Sequence, residues 1–153
     1  MKNIIKTIMI TASAISMLGV SPLQAAGTGQ DLFNSECSDC HMAFPAEFLP
    51  MRSWSTIMAT LDNHFGEDAT LEEADRVAIE AYLVANATDA GGRNSWMLRG
   101  IGENDYVLRI TEMPWWVREH SREVSQRSWD RAGTKSNCLA CHRAAAQRNF
   151  DDD

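Results

Sequence analysis

Several kinds of residue and segment are scarce in this sequence, and each shortage narrows the class of protein. Beyond its first 26 residues the chain has no apolar run near the ~20 residues that a membrane-spanning helix needs. Basic residues are outnumbered, with 14 Lys and Arg against 21 Asp and Glu, and a net negative charge repels phosphate backbones. We therefore expect no nucleic-acid partner. Histidine and cysteine are also few, at four each, so every one of them can be accounted for.

The amino terminus has the pattern of a secretory signal peptide. Lys2 and Lys6 precede an apolar run over residues 8–20. A segment that ends in the small residues Ala25 and Ala26 follows this run. We predict a signal peptide over residues 1–26, cleaved after Ala25 or Ala26, and a periplasmic protein. A membrane anchor is the alternative, but the run is short for a spanning helix.

Removal of this segment leaves 12 basic and 21 acidic residues, a net charge of -9. Such acidity suits docking to a basic redox protein partner. It is explained equally well by solubility alone.

All four cysteines belong to two copies of the pattern C-x-x-C-H, at residues 37–41 and 138–142. Two thiols at this spacing add across the vinyl groups of one haem, and the next histidine supplies the proximal iron ligand. A two-disulfide framework, a zinc site and a thioredoxin-like redox pair are the alternatives, but none of them explains both histidines. The motifs therefore predict two c-type haems, attached at Cys37, Cys40, Cys138 and Cys141 and ligated by His41 and His142.

Two further histidines, His64 and His120, leave one spare imidazole for each haem. Because imidazole is a strong axial ligand, the count predicts bis-histidine ligation of both irons. Sequence proximity pairs His64 with His41 and His120 with His142, although crossed ligation between the halves stays open.

Methionine is the other common distal ligand. Met42 lies too close to His41 to loop over the iron, and Met58 fits the apolar face of a helix. Core packing also explains the remaining candidates outside the signal segment, Met51, Met97 and Met113.

The periodicity of the chain predicts a mainly α fold with two haem domains, residues 27–90 and 91–153. In the first domain, Trp54, Ile57, Leu61 and His64 recur at helical spacing, and Gly66 ends that helix. Residues 70–73 have the pattern of a capping box for a second helix, and residues 86–92 are the best linker candidate. The apolar stripe predicted for the second helix consists of Ala74, Val77, Ala78, Ala81, Tyr82 and Ala85.

In the second domain, residues 106–111 alternate as a short extended segment would. Pro114 suits the first turn of a helix that reaches Val124 and places Trp116 and His120 one turn apart on one face. Gly133 lies at or beyond its end, and residues 144–146 continue the second motif as a helix. Arg52, Arg109 and Arg118 are candidate partners of haem propionates, although an ordinary solvated arginine is the slightly favoured interpretation.

Taken together, these features resemble the dihaem cytochrome c family of exported bacterial electron carriers. The resemblance covers most of the mature chain. It depends on both C-x-x-C-H motifs, on residues 64–66, 109–111 and 114–115, on His120, and on Pro45, Leu49, Pro50, Ser53, Trp54, Met58 and Leu61.

This resemblance implies an N-terminal domain like class I cytochrome c and a smaller, irregular C-terminal haem domain. It also implies bis-histidine ligation by His41, His64, His120 and His142, and low potentials. The implied partners are a membrane b-type cytochrome as donor and a small high-spin, oxygen-binding cytochrome as acceptor.

Electron transfer by a monomeric carrier is the function that these features favour, rather than enzymatic activity. A haem enzyme acting on peroxide, nitrite or oxygen is the alternative, and it needs an open or labile sixth position on one iron. A haem-based sensor is a third possibility, for which we expect an attached signalling domain.

Overall fold

The computed structural model describes residues 28–92 and 96–151. The predicted signal peptide, Arg93 and the last two residues lie outside the described residues. Within these two ranges the chain is mainly α, as predicted, with five α-helices and no strand. None of these helices has the length and apolar character needed to cross a membrane.

The helices are short and are separated by turns and 3₁₀ segments. They are α1 (Gly29–Cys37), α2 (Met51–Ala59), α3 (Glu73–Ala85), α4 (Pro114–His120) and α5 (Gln126–Ala132). The 3₁₀ segments are Ala46–Phe48, Leu61–Asn63, Ala90–Gly92, Ile110–Glu112, Cys138–Ala140 and Ala145–Gln147.

Helix α3 packs against both α1 and α2 and forms the centre of the first half. A side chain at Gly29 would approach the carbonyl oxygen of Ala78 to 2.3 Å, so the absence of a Cβ lets α1 lie directly on α3. Ile79 and Leu83 are the buried residues of α3. The predicted apolar stripe is wrong for Ala74, Val77, Ala81 and Ala85, which are exposed, because Ile79 and Leu83 rotate the buried face away from them.

The second half extends the same core. Met97, Met113, Trp115 and Trp116 are buried in one apolar cluster with side chains of the first half. The ring of Trp115 lies 5.0 Å from that of Phe48, and its indole Nε1 donates to the Phe48 carbonyl at 3.3 Å. No break in this core marks the predicted boundary between residues 90 and 91, and the division into two domains stays a prediction.

The predicted linker at residues 86–92 is not loose over its first part. Ala87 and Thr88 are buried, and the Thr88 amide donates to the Leu49 carbonyl. The Asp89 carboxylate accepts a 2.7 Å hydrogen bond from the Met51 amide, which caps α2 from a distant part of the chain. These contacts bind the segment to the first half.

Helix α2 ends earlier than predicted, and His64 is not on it. The Thr60 hydroxyl donates to the Thr56 carbonyl, and the backbone leaves the helix at Thr60. The predicted capping box is also not formed. Thr70 bonds to the Asp68 carboxylate, and α3 begins only at Glu73.

The second half differs from the prediction in three places. Arg109 is extended, but Ile110 and Thr111 belong to a 3₁₀ turn, so no strand forms in this segment. Pro114 opens α4 as predicted, whereas the helix ends at His120 rather than Val124. Ser125 then caps a separate helix, α5, before Gly133, and a 3₁₀ turn over Ala145–Gln147 replaces the predicted helix there.

Candidate haem-binding sites

The structure brings the four histidines together as two local pairs. The ring centres of His41 and His64 lie 6.2 Å apart with their planes 29° apart. Those of His120 and His142 lie 6.1 Å apart with their planes 84° apart. Each pair in the structure therefore joins two histidines of the same half of the chain, rather than histidines of different halves.

His41 follows the first cysteine pair and is fixed by a backbone contact and an aromatic contact. Its Nδ1 lies 2.8 Å from the Met42 carbonyl oxygen, and its ring stacks on Phe44 at 4.7 Å. A proton on Nδ1, shared with that carbonyl, leaves the lone pair of Nε2 directed away from the backbone. This is the tautomer that a metal-binding imidazole needs.

His64 stands in a tight turn. Its amide donates to the Glu67 carbonyl at 2.7 Å, and the Glu67 amide donates back at 3.2 Å. The two residues between them, Phe65 and Gly66, have φ values of 57° and 106°. Within the described chain no residue hydrogen-bonds the His64 imidazole, and the turn, together with the Phe65 ring, directs it towards His41.

The surroundings of His64 favour its neutral form. Burial lowers the pKa of His64, and the neighbouring His41 and Arg109 lower it further. The Arg109 guanidinium lies 4.1 Å from the centre of the Phe65 ring, and that ring contacts His64 by its edge. A neutral imidazole is the form that binds iron.

His120 lies in the last turn of α4 and is fixed by its own helix. Its Nδ1 lies 2.8 Å from the Trp116 carbonyl oxygen, one turn earlier. Its ring stacks on the Trp116 indole at 4.1 Å with the planes 12° apart, as the predicted helical spacing allows. Trp129 of α5 lies 6.2 Å from His120 and contacts Trp116 as well.

His142 follows the 3₁₀ turn of the second motif, where its amide donates to the Cys138 carbonyl at 2.8 Å. The ring of Phe150 lies 5.8 Å from that of His142 and 5.0 Å from that of Phe48. An ion pair between Arg148 and Glu47 anchors the same segment to the first half.

The first thiol of each motif, at Cys37 and Cys138, is a poor candidate for redox chemistry of its own. Burial, aided by the charge of Glu36, raises the pKa of Cys37 to about 11. Burial also raises the pKa of Cys138. A redox-active thiol needs a lowered pKa, so these environments do not suit a thioredoxin-like redox pair.

Both pairs fit the two axial positions of one iron. A metal–imidazole bond of about 2.0 Å, plus about 1.1 Å from the nitrogen to the ring centre, separates two axial rings by about 6.2 Å. The observed 6.2 and 6.1 Å match this separation, and each pair includes the histidine of a C-x-x-C-H motif. The residues present therefore fit two haems.

Comparison with known proteins agrees with this geometry. The family Dihaem cytochrome c matches residues 33–150. The chain belongs to the dihaem cytochrome c family.

Solved structures of dihaem cytochromes are similar over most of their length. One from Rhodobacter sphaeroides is 54% identical with a TM-score of 0.72, and the match covers 76% of this chain and 93% of that one. Another, of DHC purified from Rhodobacter sphaeroides, is 50% identical with a TM-score of 0.68 and covers 78% and 96%. A dihaem cytochrome from Shewanella baltica OS155 is 33% identical with a TM-score of 0.64 and covers 80% and 88%. No curated protein matches the chain.

Membership of the dihaem cytochrome c family implies two c-type haems and a haem-based electron carrier. Core packing accounts for three of the methionines that were considered as distal ligands. Met58, Met97 and Met113 are buried in the apolar core. Met51 is partly exposed at the start of α2, and Met42 directly follows His41.

Two of the three arginines considered as candidate propionate partners donate to backbone carbonyls. Arg52 donates to the carbonyls of Asp105 and Gly102 at 2.6 and 2.7 Å, which ties the second half to α2. Arg118 donates more weakly to the carbonyls of Arg99 and Trp96. Arg109 alone stands beside a histidine pair, in a pocket of about 320 Å³ that His64 also lines.

Four aromatic contacts of the histidines were missed by the sequence analysis, at Phe44, Phe65, Trp129 and Phe150. Phe44 and Phe65 are close enough in sequence to His41 and His64 to have been considered. Trp129 reaches His120 from another helix, and Phe150 reaches His142 across a turn. No local pattern identifies those two.

Proposed function

We propose that this dihaem cytochrome is a periplasmic electron-transfer protein with two bis-histidine, low-potential haems. His41 and His64 ligate the iron of the first, and His120 and His142 ligate that of the second. The observation that carries the proposal is the equal separation of the two ring pairs, 6.2 and 6.1 Å. In this proposal protein nitrogen atoms would hold each iron from both sides.

Each haem, when bound, supplies an iron that exchanges one electron between the ferrous and ferric states. The chain attaches the two groups through Cys37, Cys40, Cys138 and Cys141. His41 and His120 keep their Nδ1 protons on backbone carbonyls, which preserves Nε2 as the ligand atom. Preformed ligands reduce the rearrangement that accompanies electron exchange.

The low potential follows from the ligand set. Methionine as one axial ligand raises the potential of a c-type haem, and both candidate pairs here contain imidazole only. The periplasmic location is supported by the signal-peptide pattern of residues 1–26. We extend the proposal to partners: a membrane b-type cytochrome as donor and a small high-spin cytochrome as acceptor.

Carbon monoxide binding to the reduced protein tests this function against a haem enzyme. The enzyme needs an open or labile sixth position, which carbon monoxide occupies readily. A pyridine haemochrome assay on the same sample should count two haems per chain. We expect no carbon monoxide spectrum at equilibrium, and stoichiometric binding at one haem would favour the enzyme.

A further inference from the structure

The charge of this chain is divided unevenly between the two histidine pairs. Residues 28–92 contain 12 acidic and 2 basic side chains, whereas residues 96–151 contain 7 acidic and 9 basic ones. The acidic net charge is therefore a property of the first half only.

The basic side chains concentrate around the second pair. The segment that follows His120 and ends just after His142, residues 121–143, contains five basic and two acidic side chains. All five basic residues are exposed: Arg122, Arg127, Arg131, Lys135 and Arg143. The Lys135 ammonium lies 6.0 Å from the ring centre of Trp116, the indole that stacks on His120.

The sequence segment around His64 has the opposite charge, although Arg109 of the second half also lies beside the first pair. Residues 61–75, which include His64, contain no lysine or arginine. They contain six acidic residues: Asp62, Glu67, Asp68, Glu72, Glu73 and Asp75. At physiological salt the Debye length is about 8 Å, so exposed charges act mainly on molecules that approach their own surface. A partner that approaches the second pair therefore meets positive charge.

Apolar side chains are exposed within the basic region. Val117, one turn before His120, is 45% exposed, and Leu139, between Cys138 and Cys141, is 44% exposed. Interfaces between proteins combine an apolar centre with a polar or charged rim. Val117 and Leu139 add exposed apolar surface to this basic region.

We propose that this surface, Val117, Leu139 and the five basic residues, is the docking site for an acidic redox protein. The proposal depends on the proposed function in one respect, that His120 and His142 ligate a haem. It differs from the expectation of a basic partner that the net charge of -9 suggests.

An acidic protein fits this surface better than an anionic membrane does. Peripheral membrane helices insert a free apolar face, but α4 and α5 have seven residues each and bury Trp115, Trp116 and Ala132 in the protein. Glu123 and Asp130 also interrupt the basic residues, which weakens attraction to a uniformly negative bilayer.

Stopped-flow reduction of the oxidised holoprotein by an acidic flavodoxin tests the proposal. One electron leaves the anionic flavin hydroquinone, which becomes the neutral semiquinone, and enters the cytochrome, so no further reactant is consumed. We expect the second-order rate to fall as salt rises. The variant Arg127→Gln/Arg131→Gln/Lys135→Gln should lose about tenfold in rate at low salt and most of the salt dependence.

A matched control changes the net charge equally but elsewhere. Ala74→Glu/Val77→Glu/Ala81→Glu also adds three negative charges, on the exposed face of α3. It should change the rate by less than about twofold, since these positions lie outside the basic surface. An equal loss in both variants would show that only net charge matters and would overturn the proposal.

Two further measurements separate the remaining outcomes. Sedimentation with phosphatidylglycerol vesicles tests the membrane. Binding that the triple glutamine variant loses, with unchanged flavodoxin rates, would replace the acidic protein by a lipid surface. Haem content and the low-spin spectrum are recorded on the same samples. A wrong ligand assignment would change the haem content or the spectrum, whereas a wrong docking site would change only the reduction rates.

Discussion

The two histidine pairs have the same separation but are supported in different ways. In the first pair the motif histidine His41 has both a backbone partner and a stacked ring, while His64 depends on a tight turn. In the second pair His120 stands on a helix and stacks on Trp116.

This difference shows that one ligand geometry can be built by two kinds of local structure. A helix positions His120 through contacts with a residue one turn away, so the support is short-range and rigid. The turn positions His64 through positive φ angles at Phe65 and Gly66. The geometry of the first pair should therefore depend mainly on backbone conformation, and that of the second pair on side-chain contacts.

Removal of each distal histidine should have the largest effect. His64→Ala and His120→Ala should each convert one haem to a high-spin, carbon-monoxide-binding form and shift its potential on the order of 0.1 V, because axial ligands span about 0.8 V. The measurements are a carbon monoxide titration and a redox titration. His120→Ala should also reduce the free energy of unfolding by on the order of 1 kcal/mol more than His64→Ala does, since the Trp116 indole loses its stacking partner. If either variant kept two low-spin haems, that histidine would not be a ligand.

Loss of the Trp116 indole should affect the second pair selectively. Trp116→Leu should cost about 3 kcal/mol in the free energy of unfolding and alter the low-spin signal of the second haem. Trp54→Leu is the control, because Trp54 is equally buried but donates to the Ala46 carbonyl in the first half. It should cost a similar free energy without changing that signal. Identical spectral effects of both variants would contradict selective support by Trp116.

Two glycines test the dependence of the first pair on its backbone. Gly66 and Gly133 both have positive φ, and a Cβ at either would meet no other atom within 4 Å. Gly66→Ala should destabilise the turn by about 1–3 kcal/mol through strain and disturb the low-spin signal of the first haem. Gly133→Ala should cost a similar free energy, measured by thermal unfolding, but leave the first haem unchanged. An unchanged first-haem signal in Gly66→Ala would show that the turn does not position His64.

The smallest effect is expected at the ion pair between Arg148 and Glu47. Arg148→Gln should reduce stability by at most about 1 kcal/mol, because both groups are partly exposed to water. Phe150 should still hold the segment against Phe48, so both haem spectra should stay unchanged. A larger loss, measured by chemical denaturation, would mean that the two halves depend on this pair more than their common core suggests.

The histidine pairs could be anticipated from sequence because four histidines and two haem motifs leave few combinations. The turn that holds His64 could not be anticipated, because the spacing of His64 from Leu61 and Ile57 suggested a helix. That spacing is coincidental, because Thr60 interrupts the helix and a 3₁₀ turn follows. A periodic pattern does not reveal a break when polar residues such as Thr60 are compatible with both states.

Long-range contacts were the other feature that could not be predicted from the sequence. Asp89 caps α2 from 38 residues away, and Arg52 bonds to carbonyls 53 and 50 residues away. Neither contact has a local signature, so the segments near Asp89 and Asp105 looked like ordinary loops. The buried face of α3 was misassigned for a simpler reason, since its many alanines suggested a stripe on the side opposite to Ile79 and Leu83.

The most direct test of the ligand assignment is a low-temperature electron paramagnetic resonance spectrum of the oxidised protein. Ring planes close to parallel separate two iron d orbitals in energy and give a rhombic low-spin signal, whereas perpendicular planes leave them nearly equal and give a highly anisotropic signal with a large maximum g value. The angles of 29° and 84° therefore predict one signal of each kind, the first from His41 and His64 and the second from His120 and His142. A high-spin signal, or two signals of the same kind, would contradict the account.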